Sequence, residues 1–370
     1  MAGSPVRVLT AVPLCDGHDS AITAVNLELI RHGVEVVYLG FHRSVADIVR
    51  AAVQEDVAAV GISSYNGGHI EFFREVAAGL KASGRPEIGL FGGGGGTITP
   101  EDAERMHAEG TDRIFLAGAS FDDMTTYVRE RYQRTLALPE RIEVREPAGL
   151  ARLISCLESG ADIPPPSRGP AKVVGITGPG GAGKTTLIDE LTRQYLASHP
   201  GHRVAILSHD PSTLHQGALL GDRATMVYAQ DDRVFLRSMA TRGRQGGLSP
   251  ATEPVLAWLS SAEAGFDLVL VETVGIGQEA LPFPDVMVDR RILVMNTDYG
   301  ARLQLQKIAM LEAADVVAAN KQDRPGSEAA AMEIRRHLDA LAAGKPLIRT
   351  VASRHEDAGV AALLDYLERS

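Results

Sequence analysis

The stretch GPGGAGKT, from Gly178 to Thr185, has residue types and a spacing that suit phosphate binding. A glycine, four further residues and then Gly183, Lys184 and Thr185 form the phosphate-loop pattern. Glycines let backbone N–H groups turn toward phosphate oxygens. Lys184 is expected to reach the β- and γ-phosphates, and the Thr185 hydroxyl to ligate Mg²⁺. The predicted nucleotide-binding residues of the loop are Gly178, Gly180, Gly181, Ala182, Gly183, Lys184, Thr185 and Thr186.

The elements that must hold this loop are a strand before it and a helix after it. An apolar run, Val173–Ile176, precedes the loop, and a helix-forming segment, Leu187–Leu196, follows it. The N-terminus of that helix would add partial positive charge beside the phosphates. A glycine-rich turn that binds nothing is the alternative, and this strand–loop–helix context disfavours it.

Acidic side chains that follow apolar strands are candidates for holding Mg²⁺. The run Leu268–Val271 ends at Glu272, and an acidic residue in that place usually binds the cation or its waters. Asp210, after another strand, and Asp222 are further candidates for the same ion. Gly275 is expected to offer its backbone N–H to the γ-phosphate, which makes its loop a candidate switch. The predicted catalytic residues are Lys184, Thr185 and Glu272.

The tetrapeptide Asn320-Lys-Gln-Asp323 follows the apolar run Asp315–Ala319 and has a chemistry that selects guanine. A carboxylate at Asp323 can accept hydrogen bonds from the guanine ring N–H and exocyclic amine, and adenine lacks both donors there. Lys321 can lie over the base, and Asn320 can tie this loop to the phosphate loop. Ser353, after a later strand, stands where a backbone N–H would meet the base oxygen. The pattern predicts GTP as the substrate.

The N-terminal third alternates strands with helices, which predicts a doubly wound parallel sheet of the flavodoxin-like kind. Ligands of such sheets bind outside the carboxyl ends of the strands. The predicted strands are Val6–Val12, Val34–Leu39, Val57–Ser63, Ile88–Phe91 and Arg113–Leu116. The predicted helices are Ile22–Arg31, Val45–Gln54, Ile70–Ala82, Pro100–Ala108 and Asp122–Arg134.

Three unusual loops lie at those strand ends. Asp16 and His18 share the first, where a carboxylate can fix the histidine tautomer so that one ring nitrogen binds a metal. A surface histidine beside a capping aspartate is the alternative. Ser63 ends the third strand, and the five glycines Gly92 to Gly96 leave room for a large or flat ligand against the backbone.

The motifs DGHD, SSYNGGH and FGGGGGTI resemble the three signatures of the cobalamin-binding domain of acyl-CoA mutases. The resemblance implies that His18 binds cobalt from below, that Asp16 orients it, and that the displaced dimethylbenzimidazole tail of adenosylcobalamin enters a slot. That slot would be lined by Ser63, Gly92, Gly93 and Gly94. Ala21 replaces the glycine that ends the family motif, a small change, and Tyr65 replaces the usual leucine.

The segments DPST, GALLGDR, FLRSMATRG, ETVGIGQ and GARLQLQK are similar to G-protein chaperones of the MeaB and ArgK type, which escort adenosylcobalamin to methylmalonyl-CoA mutase. Thr225 stands where those chaperones commonly have arginine, so no role of that arginine is carried over. A cobalamin domain ahead of such a GTPase is the layout of fused isobutyryl-CoA mutases, which continue into a (β/α)₈ barrel. The GTPase domain is expected to end at Ser370, and the barrel is expected to be either a separate subunit or a half of the protein that this chain has lost.

Composition bounds the interpretation of the whole chain. It has 370 residues and a formal net charge of −10, which argues against a general nucleic-acid or anionic-membrane binder. Its two cysteines lack metal-ligand spacing and favour a reducing cytoplasm, and the sequence shows no signal core or membrane span. We predict a cobalamin-binding domain over 1–137, a linker over 138–170 with a short helix at Ala148–Ser159, and a P-loop GTPase domain over 171–370.

The sequence therefore predicts a GTP-hydrolysing chaperone domain fused to an adenosylcobalamin module, supporting cofactor loading and protection of an acyl-CoA mutase of the isobutyryl-CoA type. The resemblance implies a mutase barrel or subunit, a cofactor-delivering adenosyltransferase and a second copy of the chain as partners. One alternative is a cobalamin carrier or sensor with a GTPase switch and no mutase role. Another is a signalling GTPase on a flavodoxin-like domain that binds no cobalamin.

Overall fold

A computed structural model of the chain describes two compact units. The first comprises Met1–Ile163, Asp210–Ala224 and Leu236–Gly243. The second comprises Pro164–His209, Thr225–Phe235 and Arg244–Ser370. Within these bounds the described residues are 5–14, 20–94, 96–138, 141–164, 166–212, 217–275, 283–284, 287–296, 305–341 and 344–369.

The first unit contains a parallel sheet, which in the described residues has six strands. Its strands are β1 (Arg7–Pro13), β2 (Glu35–Arg43), β3 (Ala59–Ser63), β4 (Gly89–Gly93), β5 (Arg113–Phe115) and β8 (Ala218–Leu220). Their order is β5-β4-β3-β1-β2-β8, so the first five strands have the flavodoxin-like order. The predicted fold class is confirmed.

Helices separate these strands, as the alternating pattern predicted. They are α1 (Ser20–Arg31), α2 (Val45–Gln54), α3 (His69–Ala82), α4 (Pro100–Ala108), α5 (Phe121–Tyr132) and α6 (Pro147–Glu158). Side-chain caps set three of the starts. The Ser44 hydroxyl accepts from the Asp47 N–H and the Thr99 hydroxyl from the Asp102 N–H, both at 3.1 Å, and the Ser120 hydroxyl accepts from the Asp123 N–H at 3.0 Å. Helix α6 coincides with the short helix predicted within the linker.

The sequence predicted five strands for the first sheet, but the described residues form six. Strand β8 pairs in parallel with β2, with Ala218 opposite Glu35 and Leu220 opposite Val37. The Gly217 N–H also donates to the Ile30 carbonyl at 2.9 Å. Because an edge strand presents unpaired backbone groups, a distant segment can complete the ladder without any local sequence signal.

Buried charges are concentrated in the first unit beside β1 and β2. An Arg7 guanidinium nitrogen lies 2.9 Å from the Glu35 carboxylate and 3.0 Å from the Glu158 carboxylate. Arg237 approaches Glu158 to 2.5 Å. Burial would raise the pKa of Glu158, but the guanidinium groups of Arg7, Arg237 and Arg242 outweigh it and lower the pKa to about 2.

Replacing Glu158 should therefore destabilise the fold in a pH-dependent way. Glu158→Gln leaves buried guanidinium groups uncompensated, and we expect it to cost about 3 kcal/mol at pH 7. A depressed carboxyl pKa contributes stability above the unfolded pKa of about 4.5 and loses it as the pH falls toward the folded value. Urea unfolding at pH 7 and near pH 2 should show the difference between wild type and variant shrinking in acid.

Glu143→Gln is the matched control, because the Glu143 side chain is 62% exposed and the exposed Arg141 approaches it only to 3.8 Å. It should change the unfolding free energy by less than about 0.5 kcal/mol at either pH. Equal stability of Glu158→Gln and wild type at pH 7 would show that the buried ion pairs are not stabilising.

Another sheet has seven strands among the described residues. Its strands are β6 (Lys172–Thr177), β7 (Val204–Asp210), β9 (Val234–Ala240), β10 (Leu268–Glu272), β11 (Arg290–Met295), β12 (Val316–Ala319) and β13 (Leu347–Arg349). Their order is β13-β12-β11-β6-β10-β7-β9, with β6 between β11 and β10. The phosphate-loop strand is thus central, and its ladders to β10 and β11 are parallel.

Helices α7 (Lys184–Ser198), α8 (Thr252–Leu259), α9 (Leu305–Ala313), α10 (Ser327–Ala340) and α11 (Ala358–Arg369) complete the second unit. The strands and the helix predicted around the nucleotide motifs are confirmed to within three residues at each end, while β9, β11 and helices α8 to α11 had not been predicted individually. No helix in the described part of the chain is both long and apolar enough to cross a bilayer.

Candidate functional site

The phosphate loop leaves the end of β6 and enters α7 in a conformation that requires glycine. Gly183 has φ of 90° and precedes the first helical residue, Lys184. A Cβ on Gly183 would lie 2.5 Å from Nδ2 of Asn320, and a Cβ on Gly178 would lie 2.2 Å from the Val294 carbonyl oxygen. Side chains are therefore excluded from the inner face of the loop, as the motif predicted.

Asn320 joins the predicted base-reading loop to the phosphate loop. Its Nδ2 donates to the Ala182 carbonyl at 3.0 Å, and its Oδ1 accepts from the Thr350 hydroxyl and the Ala352 N–H, both at 3.1 Å. The side chain is 2% exposed. The amide thus holds three loops in one arrangement, which is the tie expected from the sequence.

Lys321 and Asp323 follow on the same loop. The Lys321 ammonium donates to the Gly181 carbonyl at 2.5 Å, so its side chain extends toward the phosphate loop. Asp323 is exposed, which leaves its carboxylate accessible to a base, and Ser353 lies in the turn that follows Ala352. Contacts of these residues with guanine remain a prediction.

Thr185 and Glu272, the two predicted Mg²⁺ ligands of the second unit, lie together. The Thr185 hydroxyl donates to Oε1 of Glu272 at 2.9 Å. Glu272 ends β10 and is 3% exposed. A hard cation prefers such oxygen ligands, so the pair has the donor chemistry for Mg²⁺.

The backbone after Glu272 approaches the phosphate loop closely. A Cβ on Gly275 would lie 2.6 Å from the Gly180 Cα and 3.2 Å from the Lys184 ammonium nitrogen. Lys184 is itself buried and donates to the Pro179 carbonyl at 3.4 Å. The predicted switch backbone therefore lies beside the predicted phosphate-binding lysine.

Asp210 and Asp222, the other two candidate Mg²⁺ ligands, belong to the first compact unit. Burial and the neighbouring charge of Asp222 raise the pKa of Asp210 to about 8, although the Gly221 N–H donates to its carboxylate at 3.1 Å. A proton or a cation would relieve this repulsion. Their role in binding Mg²⁺ remains a prediction.

The structure also brings Asn296 to the phosphate loop, a residue that the sequence analysis missed. It follows the last residue of β11, and its Nδ2 donates to the Gly181 carbonyl at 3.3 Å. The signal available in the sequence was its place at the end of an apolar run, Ile292–Met295, which the prediction had not identified as a strand.

In the first unit a cavity of about 140 Å³ opens at the carboxyl ends of β3, β4 and β5. Ser63 and the glycines Gly92, Gly93 and Gly94 line it, together with apolar side chains such as Phe91 and Phe115. A Cβ on Gly94 would lie 1.8 Å from the Ser64 carbonyl oxygen. The volume and apolar walls suit one planar aromatic group, so the cavity fits the predicted slot.

Asp16 and His18 lie outside the described residues, and cobalt binding by His18 remains a prediction. The last described residue before them is Leu14, whose carbonyl oxygen accepts a hydrogen bond from Nδ1 of His42 at 2.9 Å. His42 lies near the end of β2. The sequence analysis had missed this anchor at the start of the first loop.

These two folds and their strand-end sites define a P-loop nucleotide-binding unit joined to a flavodoxin-like ligand-binding unit. Comparison with protein families matches each of these two units to a known family. The sequence model of the methylmalonyl-CoA mutase-associated GTPase MeaB matches residues 163–369, and that of the B12 binding domain matches residues 6–121. The chain belongs to the MeaB family of GTPases and carries a B12-binding domain ahead of the GTPase domain.

Similar proteins match this chain over most or part of its length. The chain is 37% identical to a fused isobutyryl-CoA mutase of Geobacillus kaustophilus over 98% of its length and 37% of the relative's. It is 39% identical to one of Nocardia farcinica over 98% of its length and 36% of the relative's. A putative GTPase of Pyrococcus abyssi is 36% identical over 63% of this chain and 77% of its own. The resemblance to fused isobutyryl-CoA mutases that the motifs predicted is confirmed. The chain spans little more than a third of the length of these relatives.

Proposed function

We propose that this chain hydrolyses GTP with Mg²⁺ and couples that cycle to loading adenosylcobalamin into, or protecting, an acyl-CoA mutase of the isobutyryl-CoA type. The proposal rests on the presence of two candidate sites in one chain, one for a nucleotide and one for a flat apolar ligand. One unit joins a phosphate loop to an Asn-Lys-x-Asp loop through Asn320. The other holds an apolar cavity lined by Ser63 and the glycines Gly92 to Gly94.

Hydrolysis would depend on how the protein positions the phosphates of GTP and stabilises their negative charge. Lys184, buried beside the phosphate loop, would stabilise the charge of the β- and γ-phosphates. Thr185 and Glu272 would exchange their mutual hydrogen bond for joint coordination of Mg²⁺. The backbone N–H of Gly275, next to Gly180, would meet the γ-phosphate and sense its loss.

The first unit would hold cobalamin by its tail. Ser63 and the glycines Gly92 to Gly94 would enclose the benzimidazole. His18, oriented by Asp16, would supply a ligand to the cobalt. Bound adenosylcobalamin supplies radical chemistry through its cobalt–carbon bond. This chain's own contribution is to bind and orient the cofactor and to exclude water from its tail.

The partners proposed for this function are a substrate-binding mutase barrel or subunit, the adenosyltransferase that delivers the cofactor, and a second copy of the chain, all in the cytoplasm. The mutase partner is supported by the similar proteins named fused isobutyryl-CoA mutase, which are nearly three times as long as this chain. Co-purification from the source cell tests this proposal. Recovery of the chain with no mutase subunit and no mutase activity would favour a cobalamin carrier or sensor.

The choice of nucleotide tests the hydrolytic part. We expect hydrolysis of GTP and poor use of ATP, because the exposed Asp323 carboxylate would pair with two guanine donors. Asp323→Ala should weaken GTP binding at least about tenfold, since a lost charge-assisted contact costs about 1.5–3 kcal/mol. Steady-state kinetics with both nucleotides measures the effect.

Asp339→Ala is a suitable control, because this aspartate is 65% exposed on α10 and pairs only at 3.9 Å with Arg335 among the described groups. It should leave the GTP affinity unchanged. Equal turnover of ATP and GTP by the unmutated chain would rule out guanine selection by Asp323.

A further inference from the structure

His209 is a buried histidine beside the predicted Mg²⁺ ligand Glu272, and neither the motifs nor the proposed mechanism uses it. It lies one residue before the end of β7 and is 2% exposed. Its Nδ1 is 2.8 Å from the Glu272 carbonyl oxygen, and its Nε2 is 2.8 Å from the Thr252 hydroxyl. Both ring nitrogens are thus engaged at hydrogen-bond distance, which fixes the plane of the ring.

The partners determine how the imidazole is oriented. A carbonyl oxygen can only accept, so Nδ1 carries a proton and donates to Glu272. The Thr252 hydroxyl is also 2.8 Å from the Ser249 carbonyl, at the start of α8. The ring therefore links the end of β7, the end of β10 and the first turn of α8.

The bond to Glu272 lies where the regular ladder between the two strands stops. The last paired residues of β7 and β10 are Leu207 and Val271. Beyond them, the Thr273 N–H donates to the Ile176 carbonyl at 3.0 Å, and the Val274 N–H donates to the Gly247 carbonyl at 3.1 Å. His209 supplies the corresponding restraint on the carbonyl of Glu272.

This restraint acts on the backbone from Glu272 to Gly275. That segment carries the predicted Mg²⁺ ligand Glu272 and the predicted γ-phosphate contact of Gly275. The Glu272 carboxylate accepts from Thr185, and Gly275 lies against Gly180 three residues later. A displacement of about 1 Å at such a site costs up to about 100-fold in rate. The position of the Glu272 carbonyl therefore bears directly on the geometry of the reacting phosphate.

We infer that His209 is a positioning residue for GTP hydrolysis, acting through Nδ1 on Glu272. The inference rests on the proposed GTPase function and deepens it by naming the group that holds the Mg²⁺ ligand in place. His209 does not touch nucleotide or metal in this role. Its removal should impair the chemical step and the use of Mg²⁺ more than the binding of GTP, because the phosphate-loop and base-reading residues are unchanged.

Three substitutions separate this role from simple packing. In His209→Asn the side-chain amide nitrogen takes roughly the place of Nδ1, so the bond to Glu272 can persist. In His209→Gln the amide reaches the place of Nε2 instead, and in His209→Leu both bonds are lost. Thr252→Val, which removes the partner of Nε2 together with the hydrogen bond from Thr252 to the Ser249 carbonyl, is the control on the other side of the ring.

We expect His209→Gln and His209→Leu to lower kcat at least about tenfold and to raise the Mg²⁺ concentration for half-maximal rate. GTP affinity should change less than about threefold in both. His209→Asn and Thr252→Val should keep kcat within about threefold of wild type. Single-turnover GTP hydrolysis across a Mg²⁺ series, equilibrium GTP binding and thermal unfolding of each full-length variant supply these readouts.

A wild-type kcat and Mg²⁺ response in His209→Gln would overturn the inference, and so would an equal loss in His209→Asn and His209→Gln. The latter result would assign His209 to packing alone. If His209→Leu fails to fold, the Asn and Gln variants, which differ by one methylene, still decide the question. Absence of GTP hydrolysis in the wild type would overturn the proposed function itself, and the inference with it.

Discussion

Lys184→Ala should reduce GTP hydrolysis by at least about 100-fold, since removing one preorganised charge-stabilising group costs about 10²–10³ in kcat. Lys184 is the first residue of α7, it is buried, and its ammonium nitrogen lies near the backbone of Gly275. No other described lysine has this combination of burial and place in the phosphate loop. Initial rates of phosphate release at saturating GTP and Mg²⁺ measure the loss.

Cobalamin binding should be unchanged in the same variant, because the cavity with Ser63 and the glycine run belongs to the first compact unit. Lys81→Ala, an exposed position at the end of α3, serves as the charge-matched control and should retain full hydrolysis. Undiminished turnover by Lys184→Ala would remove the phosphate-loop role assigned to this lysine.

His18→Ala should abolish the protein-derived axial bond to cobalt. We expect adenosylcobalamin to bind with its benzimidazole displaced and an imidazole of the protein on the metal, because an apolar cavity lined by Ser63 and glycines lies at the strand ends. Electron paramagnetic resonance of the cob(II)alamin form detects this bond. Labelling histidine with ¹⁵N should alter the nitrogen superhyperfine splitting in the wild type, and that splitting should disappear in the variant.

Cobalamin affinity should also depend on pH in the wild type. If neutral imidazole is the ligand, as predicted, binding should weaken as the pH falls through the ordinary histidine pKa of about 6.5. His18→Ala should lose this dependence while the cavity retains part of the affinity. His107→Ala, an exposed histidine on α4, should behave as wild type. A spectrum showing coordinated benzimidazole in the wild type would end the cobalt-ligand assignment of His18.

Much of the nucleotide site was predictable from the sequence because its requirements are local. The positive φ of Gly183 and the close packing around Gly178 admit only glycine, so the motif itself reports the backbone conformation. The hydrogen bond from Asn320 to the Ala182 carbonyl was predictable because the phosphate loop and the Asn-Lys-x-Asp motif both lie at strand ends of the same sheet. Contacts between residues without a shared motif, such as Asn296 with Gly181, gave no comparable signal.

The sequence by itself determined the alternation of strands and helices, the two parallel sheets, the phosphate loop and the cobalamin signatures. Hydrophobic period, capping residues and glycine positions act within a few residues of chain and therefore appear in the sequence. Only the tertiary structure decided that Ala218–Leu220 completes the first sheet, that Arg7 and Arg237 meet at Glu158, and that His209 holds Glu272. Each of these joins groups far apart in the chain, where partners are chosen by which buried polar groups remain to be satisfied once the sheets have formed.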